Sequence, residues 1–190
     1  MGLVAGAVLA AGSGTRMGAP KATLRVDGTT LLERAVTVLR DGGCEQVIAV
    51  VRAGTLVAGA QAVVNPEPSR GQRSSLLLAV DAAGTADALV VVLVDMPGIS
   101  SDAVQAVVRA WRPGRIALAR YGERRGHPTV MAPELWRRAL GSAGPDEGAR
   151  ALLAARPDLV DEVQVAGDPS DLDTPVDLAD WTASRPEPRQ

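Results

Sequence analysis

Short apolar runs alternate with amphipathic segments along most of the chain. A continuous apolar run indicates a strand buried on both faces, whereas apolar residues at helical spacing, as at Leu32, Val36 and Leu39, indicate one buried helix face. The pattern predicts strands at residues 3–10, 46–52, 61–65, 88–94, 115–121 and 159–165. It predicts helices at residues 30–41, 55–59, 101–111, 133–140 and 147–155, one ending near residue 83 and a last one beginning near residue 174. This alternation is typical of an α/β protein with a mostly parallel sheet.

The predicted first strand runs directly into a glycine-rich loop. Gly12, Gly14 and Gly18 let the backbone point its N–H groups at a ligand without interference from a Cβ atom. Arg16 adds a planar fork of donors and Lys21 a mobile positive charge, and both suit phosphate oxygens. These features predict a phosphate-binding site, because a loop whose glycines merely turn the chain would not need two cations.

Two familiar phosphate-binding loops do not fit this stretch. A Walker A loop needs Gly-Lys followed by Ser or Thr, but Gly18 is followed by Ala19. A dinucleotide-binding fingerprint needs a small residue where this chain has Met17. Pro20 also argues against a helix that opens directly from the loop. The pattern therefore matches neither class.

Aspartates occur at two places that suit a ligand site. Asp95 ends the most apolar run, at the expected C-terminal edge of a central strand. Asp171 and Asp173 precede a helix that begins at a proline. Each place also has a plain structural interpretation, a turn aspartate at 95 and a capped helix start after 171. Two such carboxylates can hold a hard cation such as Mg²⁺ through oxygen atoms.

Composition sets the class of protein. With 190 residues, 46% of them hydrophobic, the chain suits one domain, so we predict a single domain at 1–184 and a flexible tail at 185–190. A net charge of −2, with three Trp, one Tyr and no Phe, argues against a nucleic-acid partner. Cys44 is the only cysteine, which excludes an internal disulfide. Without a membrane-spanning run or a signal peptide, we expect a cytoplasmic protein with no membrane partner.

The stretch from Leu9 to Lys21, Leu-Ala-Ala-Gly-Ser-Gly-Thr-Arg-Met-Gly-Ala-Pro-Lys, resembles the signature loop of the MobA-like nucleotidyltransferases. Its nearest branch by resemblance is that of the molybdenum cofactor cytidylyltransferases. Guanylyltransferases of this family typically carry glycine where this chain has Ala11, which favours CTP over GTP. The resemblance implies a three-layer α/β/α Rossmann-like nucleotidyltransferase fold with a mostly parallel central sheet.

The same resemblance implies roles for individual residues. Arg16, Lys21 and Asp95 would be catalytic. Asp95 and Asp173 would hold Mg²⁺, or alternatively Mn²⁺, with Asp171 in reserve for the second position. The segment Asn-x5-Gly-x2-Ser-Ser-Leu from residue 65 resembles the one that holds the base and ribose in the family. The nucleotide-binding residues would then be Leu9, Ala10, Ala11, Gly12, Ser13, Gly14, Asn65, Gly71, Ser74 and Ser75.

Residues 122–131 predict a hairpin with glycines at its bends. Their Gly-Glu-Arg-Arg-Gly-His-Pro sequence is similar to the family segment beside the acceptor substrate, which implies that Arg125, His127 and Pro128 bind the acceptor. From the residues alone, a hydrogen-bonding role is favoured over a general base for the lone histidine. Arg124 and Arg125 fit a solvated charge pair equally well.

Residues 144–150 resemble the Gly-Asp-x-Gly-Ala-Arg of the cytidylyltransferase branch, with one residue inserted. The insertion leaves Asp146 and Glu147 both open as the equivalent acid.

Together the resemblances imply transfer of CMP from CTP to the terminal phosphate of molybdopterin cofactor, with release of pyrophosphate and delivery of the product to a recipient molybdoenzyme. Three alternatives stay open: guanylyl transfer or transfer to a sugar or alcohol phosphate, a dinucleotide-dependent oxidoreductase, and a non-catalytic nucleotide-binding module. Met17 argues against the second, and the presence of Arg16, Lys21 and Asp95 argues against the third.

Overall fold

The computed structural model of the chain describes residues 2–141, 144–145 and 147–184. Its strands are β1 Val4–Leu9, β2 Arg25–Val26, β3 Thr29–Thr30, β4 Gln46–Val51, β5 Gln61–Val64, β6 Ala88–Leu93, β7 Ile116–Tyr121, β8 Arg124–Met131 and β9 Val160–Gln164. Its α-helices are α1 Leu31–Asp41, α2 Gln72–Ala82, α3 Ser101–Ala110, α4 Pro133–Gly141, α5 Arg150–Ala155 and α6 Pro175–Ala183. Short 3-10 turns lie at Thr15–Met17, Lys21–Thr23, Pro68–Arg70 and Pro157–Leu159. Asp146 and the predicted tail at 185–190 lie outside the described residues.

Seven of the described strands form one sheet, in the order β5-β4-β1-β6-β8-β7-β9. Its pairings are parallel except those of β8, which is antiparallel to both β6 and β7. β1 and β6 are neighbours, and Leu9 lies opposite Leu93 in their register. The predicted α/β class is therefore confirmed, and the glycine loop and Asp95 leave adjacent strands at the same edge of the sheet.

Helices cover both faces of the sheet, because successive residues of a strand point to opposite sides. Val8 of β1 belongs to a core shared with α1, α3 and α6, to which Leu39 and Trp181 contribute. Ala7 belongs to a second core shared with α2 and α4, in which the indole N–H of Trp136 donates to the carbonyl of Leu89 at 2.9 Å. The result is the expected three-layer α/β/α arrangement.

The helix ends follow the side chains that cap them. Thr30 and Thr174 each form a reciprocal capping box, with Glu33 and Asp177 respectively, and Ser100 accepts a hydrogen bond at the start of α3. None of the described helices is both long and apolar enough to cross a membrane.

The predicted helix at residues 55–59 is wrong. The chain between β4 and β5 forms turns instead, and Gly54 and Gly59 have φ angles of 80° and 73°. Such positive angles do not continue a right-handed helix. Leu56 is 94% exposed, so this short segment also lacks the apolar contact that would stabilise a helix.

Two details of the hairpins differ from the sequence analysis. The small β2–β3 hairpin was missed, although Asp27-Gly28, with φ angles of 52° and 79°, is a typical two-residue turn sequence. The hairpin predicted around residues 122–131 exists and is formed by β7 and β8. Gly122 lies at its bend as predicted, but Gly126 lies inside β8.

Candidate active site

A cleft of about 750 Å³ opens beyond the C-terminal ends of β1 and β6. This is the edge at which open α/β sheets bind ligands. We call residues 11–21 with Asp173 the loop wall, and Gly71, Gln72, Ser75 and Arg150 the helix wall. The lining residues are Leu9, Ala11, Gly12, Ser13, Gly14, Thr15, Arg16, Lys21, Pro68, Gly71, Gln72, Ser75, Leu93, Val94, Asp95, Arg150 and Asp173.

The loop wall is shaped by one glycine and one buried side chain. Gly14 has a φ of 63°, and a Cβ atom there would lie 2.0 Å from the carbonyl oxygen of Ala19. Met17 is buried, and its N–H donates to the carbonyl of Gly14 at 2.8 Å. Met17 therefore anchors the loop at the position where a dinucleotide fingerprint would carry a small residue.

Lys21 joins the two predicted metal-binding carboxylates. Its Nζ lies 2.7 Å from Oδ2 of Asp95 and 2.6 Å from Oδ1 of Asp173. A nitrogen of Arg16 lies 3.5 Å from Oδ2 of Asp173. Burial by itself lowers the pKa of Lys21, but the hydrogen bonds that it donates to Asp173 and Asp95 outweigh burial and raise that pKa above its ordinary value. The ammonium is therefore charged at neutral pH and neutralises part of the cluster.

Distant segments bring the two carboxylates together. Asp95 follows β6, and its carbonyl accepts a hydrogen bond from the N–H of Leu172 at 2.8 Å. Leu172 is buried, which fixes the approach of the chain to α6. Asp173 lines the cleft whereas Asp171 does not. Asp177 accepts from the N–H groups of Asp173 and its neighbour, so the capping box also holds the backbone of Asp173 in place.

The helix wall is held by a buried amide. Asn65 is 3% exposed, and its side-chain nitrogen lies 2.9 Å from the hydroxyl oxygens of both Ser74 and Ser75. Its side-chain oxygen accepts from the N–H of Glu67 at 2.9 Å. Gly71 and Ser75 line the cleft, whereas Asn65 and Ser74 do not. Asn65 thus positions the first turn of α2 from behind.

His127 lies on β8, which pairs with β6, the strand that Asp95 follows. Its Nδ1 is 3.0 Å from the carbonyl oxygen of Val91, so this nitrogen donates and carries the proton of the neutral ring. Burial lowers the pKa of His127, and the positive charge of Arg150 acts in the same direction, against the carbonyl of Val91 and the charge of Asp95. The ring is therefore neutral at pH 7 and is tied to the sheet.

His127 lies outside the cleft lining, and so do the other predicted acceptor residues, Pro128 and Arg125. Pro128 is buried beside His127, and Arg125 forms an ion pair with Glu162 on β9. Ala10, predicted to bind nucleotide, is likewise buried and lies outside the lining. The structure therefore brings together Arg16, Lys21 and the two aspartates, but does not bring Arg125 to them.

Sequence analysis missed six lining residues. Three of them are apolar, Pro68, Leu93 and Val94, and three are polar, Thr15, Gln72 and Arg150. Gln72 is the first residue of α2, next to the recognised Gly71. Arg150 ends the Gly-Ala-Arg segment whose resemblance was noted, so its sequence signal was present without an assigned role.

The donor set fits a divalent cation bound together with a nucleotide. No group of three or more His, Cys, Asp and Glu side chains forms a metal site within the part of the chain that the structure describes. Asp95 and Asp173, however, already converge on one positive charge within 2.7 Å. Two carboxylates leave coordination positions for water and phosphate oxygens, which is the way Mg²⁺ is usually held.

Comparisons with known proteins identify the family of the chain. The MobA-like NTP transferase domain matches residues 6–162. The nicotine blue oxidoreductase of Paenarthrobacter nicotinovorans is 38% identical over 188 residues, which cover 90% of this chain and 92% of that protein. The probable molybdenum cofactor guanylyltransferase of Opitutus terrae is 39% identical over 124 residues, 63% of this chain and 61% of that protein.

A solved structure shares the whole architecture. Rv0371c from Mycobacterium tuberculosis H37Rv matches with a TM-score of 0.83 at 26% identity, over 96% of this chain and 99% of that one. Its complex with manganese matches with a TM-score of 0.80 at 26% identity, over 96% and 100% of the two chains. The domain match, which spans most of the sequence, confirms the resemblance of the glycine loop, and the chain belongs to the MobA-like NTP transferase family.

Proposed function

We propose that the protein is a Mg²⁺-dependent nucleotidyltransferase that moves CMP from CTP to the terminal phosphate of a molybdopterin-type acceptor. The observation that carries the proposal is the convergence of Lys21, Asp95 and Asp173 at the mouth of the glycine loop. Phosphoryl chemistry needs no protein nucleophile, because the enzyme positions the phosphates and neutralises their charge. The charged groups of Lys21, Asp95 and Asp173, beside the N–H donors of the glycine loop, suit that task.

The chain's own residues would divide the work. Arg16 and the N–H groups of residues 11–16 would hold the β- and γ-phosphates. Lys21 would stabilise the charge that develops at the α-phosphate, for which it must exchange its carboxylate partners for phosphate oxygens. Mg²⁺ held by Asp95 and Asp173 would supply Lewis-acid stabilisation of phosphate oxygens, and Mn²⁺, the ion named with the Rv0371c complex, would fit the same oxygen ligands.

The preference for CTP rests on Ala11, which lines the cleft and is 3% exposed. A methyl group there replaces the glycine typical of the guanylyltransferase branch. The relative from Opitutus terrae supports GTP as the second candidate, with the same chemistry and acceptor class. On the acceptor side, we assign His127 and Pro128 to the surroundings of the acceptor. Arg125 would join them only by leaving Glu162. We place this protein in the cytoplasm, where a recipient molybdoenzyme would take up the product.

Pyrophosphate release tests the proposal. The purified protein is incubated with Mg²⁺, molybdenum cofactor and one of CTP, GTP, ATP or UTP. Release with CTP alone supports the full proposal, and release with GTP alone keeps the chemistry and corrects the base. Binding of every nucleotide without release from any would contradict nucleotidyl transfer to this acceptor.

A second candidate function comes from the full-length relative named nicotine blue oxidoreductase. Under this alternative the glycine loop would hold the pyrophosphate of a dinucleotide, and the carboxylates would not be required for turnover. Loss of nicotinamide or flavin absorbance in the presence of nicotine blue, without any pyrophosphate release from nucleoside triphosphates, would favour this candidate over the first.

A further inference from the structure

Arg150 is a cation in the cleft that has no role in the reaction as described so far. It is the first residue of α5, it is exposed, and it lines the helix wall. Arg16 and Lys21, on the loop wall, both pair with Asp173. Arg150 forms no ion pair with any residue that the structure describes. The helix wall therefore offers the cleft a positive charge that these residues do not neutralise.

One hydrogen bond and one electrostatic effect locate Arg150 along the sheet. Pro145, five positions before Arg150, lies on the start of α2, where the N–H of Arg73 donates to its carbonyl at 2.8 Å. In the other direction, the charge of Arg150 reaches His127, whose low pKa it supports after the larger effect of burial. His127 is on β8, which pairs with β6 on the side away from β1. Arg150 therefore lies between the start of α2 and the strand beyond Asp95.

We propose that Arg150 binds the attacking phosphate of the acceptor. This inference rests on the proposed nucleotidyl transfer. In that reaction an acceptor oxygen forms a bond to the α-phosphorus, the bond from that phosphorus to the bridging oxygen breaks, and pyrophosphate leaves with the electron pair. Attack in line requires the acceptor phosphate and the leaving pyrophosphate to lie on opposite sides of the α-phosphorus. The loop wall suits the leaving group. The helix wall belongs to the other face of the sheet, because α2 and α5 pack against one core and α6, which follows Asp173, packs against the other.

The guanidinium of Arg150 has the chemistry that this position needs. Its planar fork can donate to two oxygens of one phosphate. An acceptor phosphate would not have to displace a described carboxylate from it, whereas phosphates on the loop wall compete with Asp95 and Asp173 for Lys21. Arg150 thus separates the acceptor phosphate from the nucleotide phosphates by giving each its own cation.

The lone histidine provides a reporter for this site. His127 is the only histidine in the chain, so the Hε1 proton of its ring gives a single histidine NMR signal of that type. Replacement Arg150→Ala removes a positive charge and should raise the pKa of His127. Inorganic phosphate bound at Arg150 should also raise it, with a saturable shift of the signal at constant ionic strength. The phosphate-dependent shift should disappear in Arg150→Ala, persist in part in Arg150→Lys, and be unchanged in the control Arg156→Ala.

Steady-state kinetics then show whether Arg150 binds the phosphate of the acceptor or a phosphate of the nucleotide. Arg156 pairs with Asp158 and does not line the cleft, so Arg156→Ala is a matched loss of charge. For Arg150→Ala we expect the KM for the acceptor to rise about 10-fold to 100-fold, as for a lost charge-assisted hydrogen bond, with the nucleotide KM within about twofold of the wild type. Arg150→Lys should recover part of the loss.

The two experiments separate this inference from the proposed function. An Arg150-dependent phosphate shift in a protein that transfers no nucleotide would keep the anion site and reject the reaction. Normal transfer with an unchanged acceptor KM in Arg150→Ala would reject the assignment and keep the reaction. A rise in the nucleotide KM alone would also overturn it, because Arg150 would then bind the nucleotide. An unchanged His127 signal with added phosphate would contradict phosphate binding at Arg150.

Discussion

The two walls of the cleft differ in whether their positively charged side chains are paired with carboxylates. On the loop wall, Lys21 lies within 2.7 Å of oxygens of both Asp95 and Asp173, and Arg16 approaches the second of these. On the helix wall, Arg150 pairs with no described carboxylate. A ligand of the loop wall must therefore replace contacts that Lys21 and Arg16 already make. A ligand of the helix wall meets a cation that no described carboxylate occupies.

The walls also differ in what makes them rigid. The loop wall depends on backbone conformation, since Gly14 adopts a φ of 63° beside the carbonyl of Ala19. The helix wall depends on side-chain hydrogen bonds from buried Asn65 to two serines. Loss of Gly14 should consequently act through strain in the loop backbone, and loss of Asn65 through the hydrogen bonds that hold the first turn of α2.

The largest expected effect comes from removing a carboxylate of the loop wall. Asp95→Asn keeps the size of the side chain but removes its charge, and we expect turnover to fall by about 10³-fold, because charge stabilisation at the reacting phosphate is the main source of rate. Asp171→Asn, which changes a nearby aspartate outside the cleft lining, is the matched control. Pyrophosphate release measures both, and equal rates for Asp95→Asn and wild type would remove Asp95 from the mechanism.

Gly14→Ala should disable the loop wall through the backbone. The added Cβ would meet the carbonyl oxygen of Ala19 at 2.0 Å, and alanine is also strained at a φ of 63°. We expect a loss of about 1–3 kcal/mol in the free energy of unfolding together with weaker nucleotide binding. Gly12→Ala, where the new atom would meet nothing within 4 Å, should keep its stability in the same thermal melt. A wild-type melting temperature for Gly14→Ala would show that the loop is not constrained as described.

Lys21→Met tests whether Lys21 neutralises the carboxylates of the loop wall before a metal ion or nucleotide binds. Removal of the ammonium frees both carboxylates, so Mn²⁺ should bind about tenfold more tightly in the absence of nucleotide even though turnover falls. Electron paramagnetic resonance of free Mn²⁺ measures this affinity without any reaction. Arg25→Met, outside the cleft lining, controls for the general loss of a cation. Weaker Mn²⁺ binding in Lys21→Met would mean that Lys21 organises the carboxylates rather than competing for them.

Asn65→Ala should weaken the helix wall from behind. It removes two hydrogen bonds to serine hydroxyls at 2.9 Å and leaves the N–H of Glu67 without its acceptor. We expect about 1–3 kcal/mol of destabilisation in urea unfolding, because buried polar groups lose their partners. Ser74→Ala, which removes only one of these bonds, should cost less. A larger loss for Ser74→Ala than for Asn65→Ala would assign the structural role to the serine.

The smallest expected effect concerns pH. Burial and the charge of Arg150 lower the pKa of His127 in the folded state, so below about pH 6.5 the unfolded chain binds a proton that the folded chain does not. The folded state should therefore lose stability as pH falls from about 6.5 toward the lowered pKa, by at most about 1.4 kcal/mol per pH unit. His127→Gln should remove this component from urea unfolding curves recorded between pH 7 and pH 5. Identical pH profiles for the two proteins would contradict the lowered pKa.

The sequence predicted those features of the structure that are marked by residues close together in the chain. The apolar run of β1, the glycine loop and the aspartate after β6 were found because each is marked by neighbouring residues. The helix predicted at 55–59 was wrong because Gly54 and Gly59, which bound the segment, both have positive φ angles that composition alone does not reveal. The β2–β3 hairpin was missed although Asp27-Gly28 marked its turn, so the signal was present and overlooked.

Pairings across the chain could not be read from spacing. Lys21 and Asp173 are separated by 152 positions, and their contact depends on how Leu172 packs below the cleft. Arg125 forms an ion pair with Glu162 on β9. β9 lies next to β7 in the sheet, and no local sequence motif specifies that pairing. Arg150 enters the cleft because its loop lies on α2, a tertiary contact that the residue type does not encode.

The central claim is that the loop wall holds a nucleoside triphosphate for attack at its α-phosphorus, and labelled CTP tests it most directly. With the label on the α-phosphate, the account predicts that radioactivity moves to the molybdenum cofactor in wild type and stays in CTP in Asp95→Asn. With the label on the γ-phosphate, it should leave as pyrophosphate. Transfer of the γ-label to the acceptor, or no transfer of the α-label from any nucleoside triphosphate, would contradict the account.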